Sequence, residues 1–131
     1  MSLKITSADM VAAARARIKE YTTQEVVATL HDPNVVIVDI RDSRERDRTG
    51  VIPGAFSCPR GMVEFWIDPQ SPYFKDIFGE KKTFIFHCAS GWRSALTVAT
   101  LQDMGFEAGH LKDGFTDWVA KDAPVEKLPK R

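Results

Sequence analysis

The sequence carries no net charge, with 18 Lys and Arg against 18 Asp and Glu. A chain-wide field that would gather nucleic acid or an anionic membrane surface is therefore excluded. No apolar run approaches the ~20 residues a membrane helix requires, and Met1-Ser2-Leu3-Lys4 has none of the pattern of a secretory leader. Only two cysteines are present, Cys58 and Cys88, too few for a disulfide framework. They fit a reducing cytoplasm, where a lone reactive thiol survives, and a cytoplasmic location is the expectation. The three histidines, His31, His87 and His110, share no metal-ligand spacing. Repeats and low-complexity tracts are lacking too, so 131 residues, 44% of them hydrophobic, read as one ordinary globular unit with a proper core.

Against these absences stands one stretch, Thr83 to Leu96. Phe84-Ile85-Phe86 is a short apolar run of the kind that forms a buried strand. Ala95 to Leu101 reads as a helix, and between the two lies a tight loop that opens on Cys88 and closes on Arg93. A strand would deliver Cys88 to the end of a sheet, and Gly91 would let the backbone curl. The following helix would point its free N–H groups into the curl. Such a bowl binds anions and favours a negatively charged sulfur at its floor.

The remaining chain alternates helices and strands, which implies an α/β domain with a mostly parallel sheet. Thr6 or Ser7 can cap a first helix with Val11, Ala14, Ile18 and Tyr21 inward and Arg15, Arg17 and Lys19 toward solvent. Thr22-Thr23-Gln24-Glu25 is a capping box opening a short helix. Val35 to Ile40 reads as a central parallel strand, with Asp39 and Arg41 on one face. Ala55 to Cys58 is a short strand, Gly61 to Ile67 a short helix or lid, and Phe106 to Leu111 a last strand. Gly114 to Lys121 is a last helix. In open parallel sheets ligands bind at the carboxyl ends of strands, where Cys88 would lie.

Cys88-Ala89-Ser90-Gly91-Trp92-Arg93-Ser94 resembles the active-site loop of single-domain rhodaneses. Three further segments agree in order: Val35 to Glu45, with its Asp39-Ile40-Arg41; Gly50-Val51-Ile52-Pro53-Gly54-Ala55, with Val51 where His is usual; and Lys112 to Trp118, with Asp113 replacing a Gly. The resemblance implies a rhodanese-like three-layer domain over residues 22–121, its central sheet of about five strands flanked by helices. An extra helical segment would precede it over 1–21 and a tail would follow over 122–131.

It also implies sulfur transfer. Cys88 would be the catalytic nucleophile, with Ala89, Ser90, Gly91, Trp92, Arg93 and Ser94 around the substrate and Asp39, Arg41 and Glu45 in support. A small sulfur donor such as thiosulfate would load Cys88 as a persulfide. A thiol, cyanide or an acceptor protein would unload it, with no cofactor, metal, nucleic acid or membrane involved. Two other readings stand beside this one. Cysteine-dependent phosphatases and arsenate reductases place five residues between Cys and Arg, whereas four separate Cys88 from Arg93. A sulfur carrier or regulatory module without turnover is the other.

Several side chains keep two roles open. Arg93 can face the substrate or pair with an acidic neighbour. Ser90 and Ser94 can bind the sulfur or only cap the helix. Trp92 can wall the substrate or stand exposed. Asp39 and Arg41 favour a structural pairing, with each other or with Glu45. His87 precedes Cys88 on a strand, so their side chains should diverge. Cys58 is expected to be a buried small residue.

Overall fold

The computed structural model describes residues 1–129; Lys130 and Arg131, the end of the expected tail, lie outside the described residues. Five strands form one parallel sheet in the order β1-β5-β4-β2-β3. They are β1 (Lys19–Tyr21), β2 (Val35–Asp39), β3 (Phe56–Ser57), β4 (Thr83–His87) and β5 (Gly109–Leu111). Among the described residues six α-helices accompany them: α1 (Ser7–Arg15), α2 (Thr23–Val27), α3 (Ser43–Thr49), α4 (Val63–Ile67), α5 (Trp92–Asp103) and α6 (Gly114–Ala120). None of the described helices is long and apolar enough to cross a membrane.

β2 and β4 run side by side from Val35↔Thr83 to Asp39↔His87. Both are apolar on both faces because both faces are covered. Alternation divides their side chains. Val38, Phe84, Phe86 and Cys88 join one cluster with Val63, Val98 and Leu101, under α4 and α5. Ile37 and Ile85 join the other with Val26, Phe115 and Trp118, under α2 and α6. Phe78 binds the first cluster by ring contacts to Phe56, Phe84, Phe86 and Phe106.

The N-terminal segment departs from the sequence reading. The helix capped by Thr6 ends at Arg15 rather than continuing through Tyr21, and Lys19–Tyr21 is a strand paired with β5. Tertiary pairing outweighs the helical pattern because β5 has a free edge there, and the Thr22–Glu25 capping box restarts the chain as α2. α1 lies on α5 through small side chains, Ala14 against Ala95 and Ala99. Arg17 and Lys19 are exposed as expected, Arg17 in a surface pair, whereas Arg15 is half-buried. Arg17 makes two bonds to Asp103, and Arg15 bonds Glu20 and the Lys112 carbonyl.

The segment after α6 is tied down. The indole N–H of buried Trp118 donates to Pro124 O at 2.7 Å, and Val51 and Glu126 exchange two backbone bonds at 2.8 Å. A chain ending at Ala123 leaves that indole donor unsatisfied and is expected to lose about 1–3 kcal/mol of stability. Urea unfolding measures it, and an unchanged midpoint would show that the segment contributes nothing.

Candidate active site

Cys88 follows β4 directly, at the carboxyl end of the sheet, and is 1% exposed. The chain then turns through Gly91, whose φ of 88° is left-handed, into the first turn of α5. Two backbone amides aim at the sulfur. Gly91 N lies 3.2 Å and Ser94 N 3.4 Å from Cys88 Sγ. The first helical bond of α5 runs from Ala95 N to Gly91 O, so the amides of Trp92 and Arg93 also stand outside the helical ladder at this end.

The loop's first carbonyls face the other way. Phe115 N donates to Cys88 O at 2.9 Å and Thr116 N to Ala89 O at 3.0 Å. The start of α6 thus holds the oxygens and leaves the N–H side of the loop toward the sulfur. Both glycines at this junction are sterically required. A Cβ on Gly91 would collide with the Lys112 carbonyl oxygen, and one on Gly114, at φ 71°, with the Ala89 carbonyl oxygen. Left-handed φ adds strain for any side chain there.

The other expected site residues fall into distinct places. Ala89 is half-buried and Ser90 exposed on the loop, and Trp92 opens α5 with 48% of its surface exposed. The N-cap of α5 is Gly91, with no side-chain cap, so neither serine serves as one. Ser94 is fully buried with its hydroxyl 3.6 Å from Cys88 Sγ. Arg93 is engaged in a two-bond pair with Glu45, at 2.8 and 2.9 Å. The Arg93 bonds hold the Glu45 carboxyl below the usual carboxylate range, and the Glu45 bonds raise Arg93. Glu45 therefore supports the loop through Arg93, not through Arg41.

Asp39 and Arg41 bind each other on the His87 side of the sheet, opposite Cys88. The guanidinium grips both Asp39 oxygens at 2.9 and 3.1 Å and also reaches Thr49 Oγ1 and Gly50 O, each at 2.8 Å. It lies 4.1 Å from the Phe115 ring centroid. Burial by itself would push the Asp39 carboxyl up, but the Arg41 bonds and nearby positive charge hold it below its ordinary value. His87, on the opposite face from Cys88, stacks near Phe115. Burial lowers its pKa, so the ring stays neutral. Burial pushes the Cys58 thiol up to about 12, which keeps that sulfur protonated.

Three residues of this end of the sheet escaped sequence reasoning. Ser94 Oγ is 2.7 Å from His110 Nδ1, and His110 Nε2 is 3.0 Å from Glu20 Oε2. Arg15 Nη1 reaches the same Glu20 oxygen at 3.1 Å. The only signal was a fully polar ring inside an apolar strand. Its meaning depends on register: Phe86 pairs with His110, and Glu20 pairs with His110. Paired residues share a face, so His110 lies on the Cys88 side of the sheet with Glu20 beside it.

A parallel sheet, a cysteine at the carboxyl end of its central strand and an amide-lined loop closing on an arginine are the features of the rhodanese-like domain, whose family model matches residues 22–121. The chain belongs to that family. It is 32% identical over 114 residues to the thiosulfate:glutathione sulfurtransferase of Saccharomyces cerevisiae, covering 80% of this chain and 81% of that one. It is equally 32% identical over 123 residues to the dual specificity phosphatase Cdc25 of Arabidopsis thaliana, covering 86% and 81%. A solved structure from Rhodopseudomonas palustris, described as a protein of unknown function and possible tyrosine phosphatase, superposes with a TM-score of 0.92 at 48% identity. That likeness covers 96% of this chain and 98% of the other, and so takes in most of the segment before residue 22.

Two outcomes follow. Gly91→Val should impair turnover far more than Trp92→Phe, since the former forces a side chain into Lys112 at a backbone cost of about 1–3 kcal/mol. Steady-state rates decide it, and equal effects would refute the requirement at Gly91. Arg41→Met should destabilise by about 3–5 kcal/mol, because it leaves the Asp39 carboxylate buried without its main partner. Asp39 is held below its unfolded pKa of about 3.9, so its contribution is complete above that pH and is lost as pH falls through the folded value. Wild-type stability should therefore fall more steeply in acid than that of the variant, as denaturant titrations at stepped pH would show.

Proposed function

We propose that the protein is a sulfurtransferase working through a Cys88 persulfide. The Cys88 thiolate attacks the outer sulfur of a donor such as thiosulfate; the new S–S bond forms as the donor's own S–S bond breaks, and sulfite leaves. A thiol, cyanide or an acceptor protein then attacks the outer sulfur of the persulfide and returns Cys88 as thiolate. This is covalent catalysis in two steps, with ping-pong kinetics. The observation that carries it is the focus of the Gly91 and Ser94 amides on Cys88 Sγ, where they can stabilise a negative sulfur before and after loading. The reducing conditions of a cytoplasm suit a reaction that depends on a free thiol.

The names of the phosphatase relatives make phosphoryl transfer the competing reading. Against it stand the four-residue interval from Cys88 to Arg93 and the occupation of the Arg93 guanidinium by Glu45. A phosphatase loop of this kind would need that guanidinium for the equatorial oxygens of a phosphate.

Intact mass after incubation with thiosulfate should show one added sulfur on the wild type and on Cys58→Ala, and none on Cys88→Ser. A serine hydroxyl at position 88 can still accept from the Gly91 and Ser94 amides, so Cys88→Ser should keep the native melting transition. Sulfur uptake by Cys88→Ser would refute the assignment. Rapid cleavage of an aryl phosphate, with no sulfur uptake, would establish the phosphatase reading instead.

A further inference from the structure

We propose that Ser94, His110 and Glu20 form a proton relay that takes the thiol proton from Cys88, so that the segment preceding residue 22 supplies a working part of the site. The proposal rests on the sulfur-transfer reading only in that both require a thiolate at Cys88.

The geometry is continuous. Cys88 Sγ, Ser94 Oγ, His110 and Glu20 Oε2 follow one another at 3.6, 2.7 and 3.0 Å. Cys88, Ser94 and His110 are each 1% exposed or less, so water does not compete between these three. The far end is anchored. Arg15 bonds Glu20 and, through its second nitrogen, the carbonyl of Lys112 at 3.0 Å. Arg15 is thus fixed beside the backbone that also packs on Gly91.

The network assigns the protons. Glu20, held by Arg15, can only accept, so His110 Nε2 carries a hydrogen and donates to it. Nδ1 of the neutral ring is then bare and accepts the Ser94 hydroxyl hydrogen, which leaves a Ser94 lone pair for the Cys88 thiol. Transfer needs two coupled shifts: the thiol proton moves to Ser94 Oγ as the Ser94 proton moves to His110 Nδ1. The products are a thiolate receiving the Ser94 hydroxyl and an imidazolium bonded to Ser94 and Glu20. One negative and one positive charge appear together, so the pocket keeps its net charge, which matters where solvation is poor.

The charged groups around the ring set its balance. Glu20 from β1 and Asp113 after β5 favour the imidazolium, Arg15 from α1 opposes it, and burial opposes it most. Burial thus keeps the resting ring neutral and able to accept, while Glu20 and the nascent thiolate hold the proton once it arrives. On the sulfur side Arg93, itself paired with Glu45, interacts electrostatically with Cys88.

The test reads the thiolate directly. Ultraviolet thiolate absorbance is titrated against pH in Cys58→Ala protein, with Cys58→Ala/Cys88→Ser as the blank. His110→Asn keeps an acceptor near Nδ1 but no basic nitrogen. Glu20→Gln keeps a hydrogen-bond acceptor but no charge, and lies at a partly exposed position that should fold if His110→Asn does not. Ser94→Ala breaks the line and Ser94→Thr restores a hydroxyl. The relay predicts that His110→Asn, Glu20→Gln and Ser94→Ala all move the thiolate transition to higher pH. About tenfold less thiolate should remain at neutral pH, a shift near one unit, and Ser94→Thr should recover most of it. An unchanged transition in Glu20→Gln and in whichever of the other two variants folds would overturn the relay, even if melting temperatures fall. Sulfur loading is scored separately by mass. A wild type that gives the predicted titrations yet takes up no sulfur would refute the transfer reading and leave the relay standing.

Discussion

The whole site depends on the direction in which one short loop turns its peptide groups. Left alone, residues 88–91 would present carbonyls and amides without preference. Here the carbonyls of Cys88 and Ala89 are occupied by the first-turn amides of α6, and the amides of Gly91 and Ser94 are left to meet the sulfur. The orientation needs Gly91 in a left-handed conformation and Gly114 small enough for α6 to touch the loop. The amide donors that meet Cys88 Sγ are thus placed by backbone packing.

The charged side chains serve the scaffold in two tiers. Asp39 and Arg41 are buried on the His87 face of the sheet with every guanidinium bond directed at Asp39, Thr49 or Gly50. A pair so deep adds little net stability relative to apolar residues, yet losing one member is costly. It fixes where β2 hands over to α3. Glu45, on α3, then reaches across to Arg93 on α5, in a pair that remains partly open to solvent. Such a pair is weak in isolation, but it joins the two helices that flank the cysteine.

Much of this was legible in the sequence, and the legible parts have a common character. The central strands, the cysteine loop and the Thr22–Glu25 cap announce themselves by local pattern, because apolar runs and capping residues act over a few positions. The divergence of His87 from Cys88 followed from strand alternation alone. What was missed depends on pairing between distant segments. Tyr21 fits a helical period from Val11, but the free edge of β5 draws it into a strand. Arg15 looks like one more cation on a solvent face until that strand turns it toward Lys112. Arg93 could not be oriented because Glu45, 48 positions away, decides it. His110 could not be read as a neighbour of Ser94 without the β4–β5 register.

The strand order also has a consequence for how the molecule comes into being. β1 is the first strand made, yet its partner in the sheet is β5, the last, with Lys19 set against Gly109 and Tyr21 against Leu111. On a ribosome, roughly ninety residues must emerge between the two, at about 5–20 residues per second. β2, β3 and β4 can associate while synthesis continues, but the N-terminal strand waits with its backbone unpaired. The final closure brings β1, Glu20 and α6 to the cysteine loop together. A nascent chain therefore carries Cys88 for some seconds before β5 and α6 arrive to enclose it, and the sulfur is sheltered only once the sheet has closed.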